Sequence, residues 1–287
     1  PIPFGDDASA IDIGHRKLAV IKTDMLVGKT DVPKGMSLWH AARKAVIMNI
    51  SDLAAKGVQP IAILASLGLP PESTESDVEQ ISKGMNAGAR EYSAYMLGGD
   101  TNEASDLIIS CSAIGITQKH LLMKRSGAKL GDIAAVTGYF GKTTAGLKFL
   151  LERLPTPAGI KQTLVEAVLM PQARLEEGLS LAKTGAVTAS IDSSDGLAWS
   201  LHEIAKASNI GFLIDNLPIA KEVHEFAKIN NLNPTDLTLY GGEEYELVVT
   251  IAPKLWKKAK DSVENVGTQL INIGKVTKEK SLILKTD

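Results

Sequence analysis

SLWHAARKAVIMNISDLAAKG, residues 37–57, runs straight into VQPIAILASLGL, residues 58–69, and then into Pro70-Pro71. The first stretch has helical spacing, with Ser37 placed to cap its start and Gly57 to stop it. The second is short and apolar and reads as a strand from Pro60 to Leu69, ended by the proline pair. The flanking sequence repeats this alternation. Lys17–Thr23 reads as a strand and Ser76–Tyr92 as an amphipathic helix. Tyr95–Leu97 and Leu107–Thr117 read as strands on either side of a Gly-Gly-Asp turn. Leu122–Asp132 is polar and glycine-bearing and reads as a connection between domains. Beyond it, Ile133–Thr137, Ala186–Ile191 and Tyr245–Ile251 read as strands. Thr143–Arg153, Gly159–Thr184 (broken near Pro171) and Leu197–Ala207 read as helices. Interleaving of this kind predicts an α/β (α+β) protein of two domains, residues 1–121 and 122–287.

The composition agrees with that reading. At about 100–200 residues per domain, 287 residues fit one large domain or two ordinary ones. Apolar residues make up 44% and charged residues 22%, which suits a globular chain. Lys and Arg number 31 against 33 Asp and Glu, for a net charge of -2. That balance lacks the basic excess of a non-specific nucleic-acid binder, so no nucleic-acid partner is expected. The single cysteine, Cys111, excludes an internal disulfide and a cysteine-cluster metal site. No apolar run approaches the ~18–20 residues of a membrane span, so no membrane partner and a cytoplasmic location are expected. The chain opens at Pro1 without a methionine and reaches its first motif by Gly5, which suggests a native segment before it.

The placement of the acids carries the functional signal. Asp6-Asp7, Asp24, Asp52, Asp100, Asp192 and Asp195 sit in short segments among Gly, Ser, Thr and Ala, beside apolar strands or helix starts. Surface acids normally share a helix face with lysine or glutamate. Carboxylates gathered together repel, and a counter-charge is needed to keep them ionised. Mg²⁺ supplies one, because it prefers oxygen ligands and combines a few carboxylates with substrate phosphates. Gly98-Gly99-Asp100-Thr101, Gly241-Gly242-Glu243-Glu244 and the Ser193-Ser194-Asp195-Gly196 helix start would let backbone amides approach an anion. Each aspartate alone reads equally well as a cap or turn residue.

Covalent chemistry finds little support. Cys111 lies in an apolar strand, the five histidines are scattered, and no nucleophile elbow is present. Gly138-Tyr-Phe-Gly141-Lys142-Thr143-Thr144 resembles a Walker A loop, but only two residues separate its glycines where four are required. Two sets of acids with glycine turns point to phosphoryl transfer by positioning and charge neutralisation, with no general base or covalent nucleophile.

Several blocks occur in a familiar order. They are Gly5-Asp-Asp-Ala8, Thr23-Asp-Met-Leu-Val27, Met48-Asn-Ile-Ser-Asp-Leu-Ala-Ala-Lys-Gly57, Gly98-Gly-Asp-Thr101, Arg125-Ser-Gly-Ala-Lys-Leu-Gly-Asp132, Ile191-Asp-Ser-Ser-Asp-Gly-Leu197 and Gly241-Gly-Glu-Glu-Tyr-Glu-Leu247. Over essentially its whole length the chain resembles the thiamine-monophosphate kinase family. That family belongs to the ATP-binding superfamily of aminoimidazole ribonucleotide synthetase, selenophosphate synthetase and the hydrogenase-maturation dehydratase. The resemblance implies a two-domain aminoimidazole ribonucleotide synthetase-like fold, with an N-terminal sheet domain that forms a homodimer and a C-terminal α/β sandwich. It implies ATP as co-substrate, several Mg²⁺ ions, and thiamine monophosphate as acceptor, converted to thiamine diphosphate.

Carried over by position, the implied metal ligands are Asp7, Thr23, Asp24, Asp52, Asp100, Asp192 and Asp195. ATP contacts fall on Gly99, Asp100, Arg125 and Ser194, and substrate contacts on Asp31 and Glu243. A further ligand position, often Ser in the family, falls on Lys22, which could serve only through its backbone carbonyl. The C-terminal aromatic of relatives that stacks on substrate has no match here. A different acceptor within the superfamily is the alternative. It is disfavoured by the absence of the early reactive cysteine of selenophosphate synthetases and of the C-terminal cysteine of the dehydratases. A catalytically silent metal- or nucleotide-binding regulator is a third reading, disfavoured by the retention of nearly every implied ligand.

Overall fold

The structure is a computed structural model that describes residue 2 and residues 5–285. The first half contains β1 (Ser9–Asp12), β2 (Lys17–Val27), α1 (Gly28–Asp31), α2 (Leu38–Ala55), β3 (Pro60–Leu69), α3 (Glu75–Glu91), β4 (Tyr95–Glu103) and β5 (Ile108–Gln118). The second half contains β6 (Ile133–Val136), α4 (Lys142–Glu152), α5 (Ala158–Leu169), α6 (Leu175–Thr184), β7 (Val187–Asp192), α7 (Leu197–Ser208), β8 (Gly211–Ile214) and α8 (Lys221–Asn230). It ends with α9 (Pro234–Leu239), β9 (Leu247–Ile251), a 3₁₀ turn (Pro253–Leu255), α10 (Trp256–Glu264), β10 (Ile271–Thr277) and β11 (Leu282–Leu284).

These strands form two sheets. The first runs β1-β2-β5-β3-β4, antiparallel except for the parallel β3–β4 pair. The second runs β11-β8-β10-β6-β9-β7, antiparallel except for β11–β8. Alternation along β2 explains how the first sheet is covered. Leu18, Val20 and Leu26 are buried on the face that packs under α2, while Ile21 and Met25 on the other face are exposed.

Helix α2 is the element both halves share. Ser37 accepts a hydrogen bond from the His40 amide at its start, as the sequence predicts. Residues Ala41–Ile47 and Asn49–Ala55 are buried, which is the burial of a helix enclosed on all sides. Ile47, Ile50 and Leu53 join the first core with Leu18, Ile63 and Ile109, whereas Ala54 and Ala55 join the second with Leu181 and Val249. Helix α6 crosses so close that a Cβ on Gly178 would lie 2.1 Å from the Ala54 carbonyl oxygen.

The sequence reading needs correction in places. Gly98-Gly99-Asp100 is not a turn between two strands but the middle of β4. A Cβ on Gly99 would sit 1.6 Å from the Ala65 carbonyl oxygen, so glycine is required there by the close approach of β3 at a bulge. β2 continues to Val27, beyond the expected end at Thr23. Residues 241–246 form a loop, and β9 starts only at Leu247.

Candidate active site

The acids converge at the seam between the two sheets. On β2, Lys22 and Asp24 share the inward face with Leu26, while Thr23 points the other way. On α2, Asp52 and Lys56 are one turn apart and face the same direction. The end of β7 delivers Asp192, and Ser194 and Asp195 follow at the approach to α7. The connection between the sheets delivers Arg125, and the N-terminal stretch delivers Asp6 and Asp7. Asp6, Asp7, Lys22, Asp24, Asp52, Arg125, Asp192, Ser194 and Asp195 line one cleft of about 410 Å³, together with Trp199, Glu203 and Tyr245.

Ligand atoms of Asp7, Asp52 and Asp192 lie within 4.8 Å of one another, and all three residues are buried. Cations surround this group unevenly. Lys22 Nζ lies 3.0 Å from Asp52 Oδ2 and 3.1 Å from Asp24 Oδ1. Lys56, fully buried, places Nζ 2.5 Å from Asp6 Oδ1 and 2.7 Å from Asp7 Oδ2 and also donates to the Ser190 carbonyl. Arg125 pairs with Asp7 and, at 2.9 Å, with Glu203, while its amide donates to Asp6 Oδ2. Among the described residues no cation lies within ion-pair distance of Asp192; it accepts a hydrogen bond of 2.7 Å from Ser51 Oγ.

The titration behaviour follows from these contacts. Burial and the Asp7 charge push Asp192 up to about 7, and the Ser51 hydrogen bond only partly offsets them. Burial and Asp192 also raise Asp52 well above the usual carboxylate range, against the pull of Lys22. For Asp6, burial is outweighed by Lys56, and the carboxyl is held below its ordinary value. Negative charge is therefore under-compensated on the Asp7–Asp52–Asp192 side. Asp7 Oδ2 makes no aligned hydrogen bond there despite the nearby lysine. An all-oxygen donor set with a deficit of positive charge fits a hard divalent cation such as Mg²⁺.

Other expected site residues lie elsewhere. Thr23 is on the opposite face of the first sheet, where its Oγ1 donates to the Cys111 carbonyl and accepts from Ser112 Oγ. Gly99 and Asp100 are exposed on the edge strand β4. Asp31 and Glu243 do not line the cleft, but one residue joins them: Lys44 Nζ donates to the Asp31 carbonyl at 3.0 Å and pairs with the Glu243 carboxylate. Glu243 holds a left-handed φ of 62° and donates its amide to the Ser194 carbonyl, so this loop is tied to the cleft floor.

Two glycine loops are explained without an anion. Gly242 is required by the Ser194 carbonyl, 2.5 Å from where its Cβ would lie, and Gly241 by the Thr144 side chain. In the Walker-like segment, the amides of Gly141 and Thr143 donate to Glu244 Oε1 at 2.7 and 3.1 Å, so the protein's own carboxylate fills that helix start. Cys111 is buried and its thiol pushed up to about 12, as expected for a packing residue. The sequence reading missed the Lys22 side chain, Lys44, Lys56 and Glu203. Lysines within a helix or beside an acid read as solvated residues; Lys56, within the block ending at Gly57, and Lys22, at an implied ligand position, carried positional signals, but neither side chain was read as an ion-pair partner.

The N-terminal domain of AIR synthase related proteins matches residues 5–117, and the C-terminal domain matches residues 138–287. A thiamine-monophosphate kinase of Nitrosopumilus maritimus is 38% identical over 93% of this chain and 84% of its own length. That of Pyrococcus horikoshii is 38% identical over 99% and 86%. The chain belongs to the thiamine-monophosphate kinase family. The structure of AaThiL complexed with AMPPCP and TMP superposes with a TM-score of 0.88, at 28% identity over 98% of this chain and 87% of that one. E. coli HypE, a hydrogenase maturation protein, is 20% identical with a TM-score of 0.79, a likeness of fold alone. Among the described residues no helix is long and apolar enough to cross a membrane.

Proposed function

We propose that this chain transfers the γ-phosphoryl group of ATP to the phosphate of thiamine monophosphate, giving ADP and thiamine diphosphate. The observation that carries this reading is the buried Asp7–Asp52–Asp192 group, short of positive charge, in a cleft whose lining among the described residues includes no cysteine or histidine. The acceptor oxygen is already anionic at neutral pH, so no general base is required. The obstacle is repulsion between two phosphate groups, about 4 kcal/mol for unit charges 4 Å apart at an effective dielectric near 20. Asp7, Asp52 and Asp192 would hold Mg²⁺, which would supply charge neutralisation at the phosphates. Arg125 offers forked donors to ATP oxygens and Ser194 a hydroxyl. Asp195 at the approach to α7 adds a carboxylate for a further ion. Glu243, whose carboxylate is paired with Lys44, is the acid offered to the cationic end of the substrate, while the Asp31 carboxylate is held by the Val27 amide.

Thr23, Gly99 and Asp100 enter the site through a homodimer. The outer face of the first sheet exposes Ile21, Met25, Leu64, Tyr95, Leu97 and Ile116, a group of large apolar side chains of the kind that marks an interaction surface. β1 pairs only with Leu18–Ile21, so the β2 edge beyond Ile21 has no strand partner among the described residues, although the Val27 amide donates to Asp31 Oδ2. β4 is likewise an unpaired edge. Pairing β4 of one copy with the free part of β2 in the other closes both edges and brings Asp100 of the partner subunit beside Thr23 and Asp24.

The test is ADP release from Mg²⁺-ATP with and without thiamine monophosphate, with chromatographic detection of thiamine diphosphate. Diphosphate formed one-for-one with ADP is the expected result. ADP formed only with a different acceptor, as in other ATP-dependent members of this fold, would reject thiamine monophosphate as the substrate.

A further inference from the structure

Lys22 stands on the inward face of β2, two residues before Asp24, so both side chains leave the strand in the same direction. Its Nζ rests between Asp24 Oδ1 and Asp52 Oδ2 at nearly equal distances, 3.1 and 3.0 Å. Neither carboxylate has another cation within ion-pair distance among the described residues. Two carboxylates facing each other across one positive centre is the arrangement a divalent ion would otherwise stabilise. Here the centre is covalently attached to the protein.

We propose that the Lys22 ammonium is a built-in cation that takes the place of a divalent ion between Asp24 and Asp52, so that no metal occupies that position while the Asp7–Asp52–Asp192 group stays open to one. An ammonium has three donors. Two are used on the carboxylates, and the third is left for a phosphate oxygen of ATP. The chemical difference from a metal is that the charge cannot exchange or be chelated. Part of the cleft is therefore organised before any metal arrives. This inference rests on the metal reading of the acid group given above.

The experiment counts Mn²⁺ bound to the full chain by equilibrium dialysis and electron paramagnetic resonance, for the wild type, Lys22→Ser and Lys22→Arg. Removing the ammonium opens the Asp24–Asp52 position, so Lys22→Ser should bind one more Mn²⁺ than the wild type, and Lys22→Arg the same number as the wild type. In chelator, Lys22→Ser should melt about 5 °C or more below wild type, with Mn²⁺ restoring the difference. Equal Mn²⁺ counts for wild type and Lys22→Ser would overturn the proposal, since Lys22 would then move aside for metal. Equal melting in chelator would overturn it as well. Absence of Mn²⁺ binding from all three proteins would instead reject the metal reading, a distinguishable failure. If Lys22→Ser does not fold without metal, Lys22→Met supplies the same comparison with the lysine stem kept.

Discussion

The inward and outward faces of the first sheet carry expected site residues of the same kind and treat them differently. Inward, Asp24 meets Lys22 at 3.1 Å, and Asp52 is enclosed by α2, β2 and β7. Outward, Thr23 sits one residue away on an exposed surface, and Asp100 lies three strands off on a free edge. The inward residues are complete within one copy of the chain. The outward ones are surrounded by exposed apolar side chains, which the proposed homodimer would cover. If the proposed dimer forms, a sequence motif marks which residues serve a site but not which copy of the chain supplies them.

The sharpest break of this contrast is on the inward side. Asp192→Asn should lower turnover by about 100-fold or more, the scale of losing one preorganised charge contact. The fold should persist, because the amide can still accept from Ser51 and a repulsive charge is removed; circular dichroism checks this. On the outward side, Leu97→Asp places a charge on a residue that is 68% exposed in a single copy. It should leave the monomer folded, shift light scattering from dimer to monomer, and cut turnover by about tenfold or more through loss of the partner's ligand. Gly99→Ala drives a methyl into the β3 backbone and should cost roughly 1–3 kcal/mol in denaturant unfolding. A mere turn there would tolerate it.

The smallest effect lies away from both faces. Burial pushes Glu244 up to about 7, against the two amides that hydrogen-bond it. Its folded value exceeds its unfolded one, so the native state binds the extra proton between about pH 4.5 and 7. Its contribution to stability is therefore full below that window and falls away as pH rises through 7. Glu244→Gln should flatten this slope, by roughly 1–3 kcal/mol between pH 5 and 8. Parallel melting curves of the two proteins across that range would contradict it.

Legibility in the sequence followed the same division. Helix α2 and strand β3 could be read because capping at Ser37, the stop at Gly57 and the proline pair are local signals. Asp52 and Asp192 stood out because small neighbours around an acid are unusual on a solvated surface. β4 was misread because glycines that make room for a neighbouring backbone look the same in sequence as glycines that turn. Strand β8, only four residues long, carries weak local pattern and owes its form to packing around Phe212, whereas α8, with its Val223–Phe226–Ala227 stripe, and α9, with Asn233 as cap before Pro234, carried local signals that were passed over. The ion-pair roles of Lys22, Lys44 and Lys56 depend on residues distant in the chain, which periodicity does not show.

The most direct test of the divided site is complementation between two crippled chains. Asp192→Asn and Asp100→Asn, each nearly inactive alone, are co-expressed with different tags and the mixed dimers assayed for thiamine diphosphate. If Asp100 acts across the interface, each mixed dimer holds one intact site. A random mixture should then recover about one quarter of wild-type activity. Activity no higher than that of the two parents would contradict the account and place Asp100 in the site of its own chain or outside the site altogether.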